Sequence, residues 1–174
     1  MRLLLATVGA LGLIACSTEG AQQPAPTASP TPAPTASPIA ASGGCGSTAA
    51  IRGSTPAWLD DAGAHNNPTG VPYVIAHPPL AAGFLFGSPL RAGHPDNPTN
   101  KILWVVRTPR SGALTIDGHP LGAVTPAIHE RDDANSSPGQ IYPSIVDVPT
   151  AGCWQSDLRW ANSQAQVELT YIAT

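Results

Sequence analysis

The stretch from Cys153 to the C-terminus constrains this chain most. In Cys153-Trp154-Gln155-Ser156-Asp157-Leu158-Arg159-Trp160, one side carries Trp154, Leu158 and Trp160, and the other Gln155, Asp157 and Arg159. A period of two marks a half-buried β-strand, because successive side chains leave opposite faces of the pleat. Val167, Leu169 and Tyr171 repeat the pattern against Gln166, Glu168 and Thr170, and Asn162-Ser163 supplies a turn between the two runs. The pair reads as an antiparallel hairpin. Its apolar face needs a second layer to cover it.

From residue 71 onward, short apolar runs alternate with Gly, Pro, Asn and Asp, and no stretch carries three turns of helical stripe. Expected strands are 71–77, 83–86, 101–107, 114–118, 123–128, 140–148, 153–161 and 164–172. Lys101-Ile102-Leu103-Trp104-Val105-Val106 is apolar on both faces, so it is expected as a central strand covered on each side. Trp58-Leu59 is expected as a short helical turn or a plug over one end of the sheets. Seven to eight short antiparallel strands within about 130 residues point to an all-β domain of two packed sheets. A small closed barrel is the runner-up.

The N-terminus carries an address. Met1 and Arg2 are followed by an almost wholly apolar run, 3–14, shorter than the roughly 20 residues a membrane span needs. Its end, Leu13-Ile14-Ala15-Cys16, resembles the bacterial lipobox. The resemblance implies a signal peptide over 1–15, cleavage before Cys16 and diacylation of its thiol. The chain would then sit on the extracytoplasmic face of the cell membrane, or on the outer membrane of a diderm host. Two acyl chains hold a protein to a bilayer where one holds it only marginally. Residues 16–44 follow as a disordered tether in which Pro24, Pro26, Pro30, Pro32, Pro34 and Pro38 alternate with Ala, Thr and Ser. Nothing apolar there offsets the entropy of ordering, and such a segment reaches about 80 Å if fully extended.

The β domain is expected over 45–174. With Cys16 acylated in an oxidising compartment, Cys45 and Cys153 remain to form a disulfide, contributing roughly 2–4 kcal/mol. A cysteine opening a late strand and joined to a distant partner resembles immunoglobulin-like sandwiches in architecture, although the spacing departs from the antibody Cys–Trp–Cys pattern. The stretch beginning Gly93-His94-Pro95-Asp96-Asn97-Pro98 and running to Val106 resembles uncharacterised exported bacterial lipoproteins. So does the one from Tyr142-Pro143-Ser144 to Gly152-Cys153-Trp154. That resemblance implies no catalytic residue.

Candidate chemistry is sparse. His65, His77, His94, His119 and His129 show no HxH or HExxH spacing. Gly93-His94-Pro95-Asp96 and Asp117-Gly118-His119-Pro120 read as two similar turns. If they meet, His94 and His119 are the candidate ligands of a copper or zinc ion. No GxSxG elbow is present, and Ser111 reads as a turn residue. His129-Glu130 and Asp132-Asp133 form a polar cluster without the alternating ligands of a calcium loop. Asp60 and Asp61 read as a solvated turn, and Trp58 and Tyr73 as cover for the core. The formal net charge of −3, with no clustered basic residues, excludes nucleic acid as a natural partner.

The expectation is a lipoprotein without catalytic function or cofactor, a binding or scaffolding module of the cell envelope. Its partners would be the bilayer, through Cys16, and an envelope protein or glycan. A copper- or zinc-binding envelope protein is the first alternative and an envelope hydrolase the second. In an acylating host, intact mass should show two acyl groups or more on an N-terminal Cys16. Cys16→Ser should move the chain from the detergent phase to the aqueous phase on phase partitioning.

Overall fold

The computed structural model describes residues 40–41, 43–60, 67, 69–93, 100–107, 111–135 and 141–174. The expected signal peptide, Cys16 and almost all of the tether lie outside them. The described residues fall within one compact unit, Ala36–Thr174. No helix among them is long and apolar enough to cross a membrane.

In chain order the elements are β1 (Ala40–Ala41), β2 (Ala50–Ile51), the single helical turn α1 (Ala57–Leu59), β3 (Tyr73–Ile75), β4 (Ala81–Leu85) and β5 (Leu90–Arg91). They continue with β6 (Lys101–Val106), β7 (Leu114–Pro120), β8 (Ile128–Asp132), β9 (Ile141–Ile145), β10 (Gly152–Trp160) and β11 (Ser163–Ile172). One sheet orders them β1-β2-β3-β4-β6-β9 and the other β5-β11-β10-β7-β8. Every strand pair is antiparallel except β5 with β11. The domain is thus all-β with two sheets. Its described strands number eleven rather than seven or eight, because two-residue strands leave no periodicity to read.

The C-terminal hairpin has the expected alternation. Trp154, Ser156, Leu158 and Trp160 turn inward, with Ala165, Val167, Leu169 and Tyr171 beside them. Trp160 pairs with Ser163, so the two-residue turn is Ala161-Asn162, one position earlier than expected. Ala161 takes a left-handed φ of 46°, which the Asn-Ser reading had no means of showing. From the opposite sheet, Leu85, Ile102, Trp104, Val106 and Tyr142 meet the hairpin's inner face in one continuous apolar cluster.

Trp104 lies at the middle of that layer. Its indole Nε1 donates to Ser144 Oγ at 2.9 Å, so the one polar atom of the ring is satisfied inside the core. The ring packs over Gly83, its direct partner on β4. A Cβ on Gly83 would stand 2.6 Å from the ring, nearer than a side chain can approach. Here glycine is required by a close approach rather than by backbone freedom.

The β1–β9 sheet is buried on both faces, as the doubly apolar β6 requires. Its outer face carries Tyr73, Ala82, Phe84 and Val105, and α1 lays Leu59 and Trp58 over them. The Tyr73 hydroxyl donates to Ser54 O at 2.8 Å, and the Arg107 guanidinium stacks 5.0 Å from the Trp58 ring centre. Both aromatics are therefore core cover.

Two devices lock the sheets together. The buried Asn100 amide donates to Arg91 O and to the Asp147 carboxylate, while its oxygen accepts from Arg91 N at 2.8 Å. It ties β5 of one sheet to the β6 and β9 ends of the other. Cys45 and Cys153 form a disulfide, 108 residues apart in sequence with Cα atoms 5.9 Å apart. Around it, Ser47 donates to the Glu168 carboxylate and Glu168 N donates to Thr48 Oγ1. The free edge of β11 is covered in turn by β5, Gly44 and His77.

Gly83→Ala should destabilise the domain by about 1–3 kcal/mol, the usual cost of overpacking, with the disulfide still formed. Urea denaturation of the oxidised protein measures it, and an unchanged midpoint would contradict the packing described.

Candidate functional site

With one sheet covered on both faces, the outer face of the β5–β8 sheet is the broad polar surface of the domain. Registry builds it row by row. Gln155 stands opposite His119, Asp157 opposite Asp117 and Arg159 opposite Thr115. On the flanking strands, His129 faces Asp117 from β8, and Gln164 and Gln166 face Arg159 and Asp157 from β11.

Directly opposed like charges are destabilising, so the Asp117–Asp157 pair needs neutralising. Each carboxylate finds cations or donors among its neighbours on this face. Asp117 accepts from His129 Nδ1 at 2.6 Å and from the Arg159 guanidinium. A carboxylate only accepts, so the His129 Nδ1 carries a proton. Burial pushes the Asp117 carboxyl up, but the hydrogen bonds from His129 and Arg159 outweigh it and hold its pKa below the usual value. Asp157 accepts from Gln155 Nε2 at 3.0 Å and lies 3.7 Å from His119 Nε2.

The sequence reading made Asp117-Gly118-His119-Pro120 a turn. The structure corrects this. All four residues belong to β7, and His119 is only 5% exposed. Gly118 is accommodated in the strand because the Ile128 side chain occupies the space a Cβ would need. The His119 Nδ1 lies 3.1 Å from Pro120 O, and a carbonyl only accepts, so the proton is on that nitrogen. Its partner in the metal hypothesis, His94, lies outside the described residues. Among the described residues no group of three or more His, Cys, Asp or Glu is placed to hold a metal ion.

A depression of about 310 Å³, open to solvent, crosses this face toward the 161–162 turn. His77, Asp157, Arg159, Gln164 and Gln166 supply its polar groups, with Pro78, Leu158 and Ala165 completing the lining. His77 reaches it from the opposite sheet's connection, exchanging two 2.8 Å backbone hydrogen bonds with Gln166. A carboxylate, a guanidinium, two amides and an imidazole converge there, and no Phe, Tyr or Trp is among its described lining residues. Such a surface recognises hydroxyls and amides through paired hydrogen bonds. Sequence reasoning weighed His77 only for metal and gave no role to Asp157, Gln164 or Gln166. The alternation of the two C-terminal strands already placed Asp157 and Gln166 on their polar sides.

The strand expected at 123–128 is instead β8, running from Ile128 to Asp132. Ala123 N and Ala127 N close the connection onto Pro120 O and Gly118 O. The error has a cause: β8 carries charge on its inward positions. Glu130 and Asp132 alternate with the outward His129 and Arg131, and Asp132 Oδ2 is buried without a partner. Inward charges on an edge strand deter pairing with another chain. Burial, with the nearby charges of Glu130 and Asp133, pushes the Asp132 carboxyl up to about 6.

No family model, curated protein or solved structure matches this chain.

The two carboxylates should leave opposite marks on stability. Asp117, with a lowered folded pKa, contributes stability that is complete above the unfolded value and lost as pH falls through the folded one. Asp132 does the reverse, and its contribution disappears as pH rises from about 4 to about 6. Thermal melts should therefore show Asp117→Asn less stable than wild type at pH 7. Asp132→Asn should be more stable than wild type at pH 7 and equal to it at pH 4. A gain for Asp132→Asn that is the same at both pH values would contradict the assignment.

Proposed function

We propose that this chain is a lipid-anchored, extracytoplasmic binding module of the cell envelope, with an immunoglobulin-like sandwich as its folded part. The anchoring half rests on Leu13-Ile14-Ala15-Cys16 and the proline-rich run behind it. Two sheets around a tryptophan-rich layer, and a disulfide into a late strand, support the immunoglobulin-like reading. The role is binding rather than catalysis. The charges on the exposed sheet face are committed to one another, Asp117 to His129 and Arg159, and among the described residues none of these pairs includes a nucleophile.

The observation that carries the binding reading is the depression framed by His77, Asp157, Arg159, Gln164 and Gln166. Gln164 and Gln166 are exposed and Arg159 is half-exposed, so donors and acceptors of both kinds face solvent on a rigid ladder. A ligand rich in hydroxyl and amide groups fits them, which favours an envelope glycan over an apolar peptide. Without an aromatic platform, affinity would come from hydrogen bonds alone and be modest.

Titration of isotope-labelled protein with envelope glycan fragments tests this. Backbone resonances of His77, Asp157, Arg159, Gln164 and Gln166 should shift together and saturably. Asp157→Ala should weaken binding about 10-fold, the equivalent of one charged hydrogen bond of ~1.4 kcal/mol. Shifts confined to another surface, or none with any glycan, would overturn the assignment.

A further inference from the structure

Five large apolar side chains stand exposed among the described residues: Phe86, Leu121, Val124, Ile145 and Ile172. They come from four different parts of the sequence, yet the strand registers bring them to one end of the domain. In the β1–β9 sheet, Leu85 pairs with Ile102, Phe86 N bonds to Lys101 O, and Lys101 pairs with Ile145. In the other sheet, Gly152 pairs with Tyr171, next to Ile172, and Trp154 pairs with Pro120, the last residue of β7. Leu121 N then bonds to Cys153 O. Asn100, bridging Arg91 and Asp147, and Ala92, bonded to Ile172 O, join the two sheets at this same end. The β7–β8 connection projects furthest, with Val124 92% exposed. From Pro120 to Ile128 it contains no charged residue. Lys101, stacked 5.7 Å from the Phe86 ring centre, is the cation set among the apolar groups. The acidic Glu130, Asp132 and Asp133 lie toward the opposite end of β8.

The chain enters the domain at this same end. Gly43 O accepts from Thr170 N, Gly44 bridges Leu169, and Cys45 N donates to Glu168 O. Traced backward from Cys45, the backbone therefore runs toward the C-terminal end of β11. In the other sheet, Ala40 lies in the row of Ile51, Tyr73 and Phe84, while Ala41 lies in the row of Ala50, Val74 and Gly83. That is again the direction of Phe86. Ala40 and Gly43 thus lie toward the end that carries the exposed apolar groups.

We infer that this end, led by Leu121 and Val124 and supported by Phe86, Ile145 and Ile172, is a second contact with the lipid surface. It seats the domain end-on against the bilayer that the acylated Cys16 occupies, and so rests on the anchoring reading above. Scattered apolar residues on a surface need no explanation, but their collection at the tethered end does. An apolar end whose leading connection, 120–128, carries no charge partitions weakly by itself, and the high effective concentration created by a tether makes weak contacts count. Seated this way, the domain turns the 161–162 end, and the polar depression toward it, away from the membrane.

The test uses the mature full-length chain on phosphatidylcholine vesicles. Intact mass is read first, since it reports on the anchor alone. Val124→Trp then places an indole at the tip. Trp104, Trp154 and Trp160 are in the core, and Trp58 packs under Arg107 at the other end, so wild-type emission is the control. Emission from the added indole should fall ~2-fold or more when the acyl chains are brominated, as expected for a side chain at the headgroup–acyl boundary. Wild-type amides of residues 121–127 should gain exchange protection on vesicles, and the paired substitution Leu121→Asp with Val124→Asp should abolish it.

Equal emission in brominated and ordinary lipid, with acylated Cys16 confirmed, overturns the inference and leaves the anchor standing. Concentration-dependent dimers in lipid-free solution that bury the tip also overturn it, in favour of a second copy as the occupant. A bare Cys16 defeats the anchoring reading instead. The disulfide leaves Cys16 as the chain's free thiol, so coupling it to a maleimide lipid still decides whether the tip enters the bilayer.

Discussion

The register of β10 between β7 and β11 is the constraint on which the rest of the domain depends. Inward, it sets Trp154, Leu158 and Trp160 against the tryptophan-rich layer of the facing sheet. Outward, it sets Gln155, Asp157 and Arg159 in line with His119, Asp117 and Thr115. At its start it carries the cysteine that holds Cys45. A slip of one residue would exchange these faces, placing carboxylates in the core and indoles in water, so the register is strongly specified. The opposition of Asp117 and Asp157 is a consequence of that register, and His129 directly across from Asp117, with Arg159 and His119 on the diagonals, makes it tolerable.

The two sheets divide labour because they are covered differently. The β1–β9 sheet buries both faces, one under the inner layer and one under α1, and becomes the rigid backing of the domain. The other sheet buries one face and leaves the second wet. A ladder of antiparallel strands holds side chains at fixed spacings, which is what recognition of a polar ligand by several hydrogen bonds requires. The proposed ligand surface and the proposed lipid contact use different parts of this frame, the first a sheet face and the second a sheet end.

Edge protection is handled by separate means at each margin. β11 is closed by three short segments, and β8 turns Glu130 and Asp132 inward. The second solution leaves a carboxyl oxygen buried without a partner, a local cost accepted at an edge. It also disguised the strand. Inward charge inverts the pattern by which strands are recognised, and the sequence reading placed β8 several residues too early, in an uncharged connection.

Local alternation made the all-β class legible, together with the C-terminal hairpin, the double burial of Lys101–Val106 and the wet face bearing Gln155, Asp157 and Arg159. These are properties of neighbouring residues on one strand, and a period of two needs no knowledge of the rest of the chain. The pairing of Cys45 with Cys153 was legible by the same economy, once Cys16 had another role. Tertiary structure alone decided that His119 is a buried strand residue, that His77 crosses to the rim of the polar depression, and that Asp132 is an inward edge carboxyl whose pKa burial raises. It alone gathered Phe86, Leu121, Val124, Ile145 and Ile172 at the end where the chain enters. The reason is geometric. Which distant segments share a row depends on loop closures and on the registers of several strand pairs at once, and no local pattern of residues carries that information.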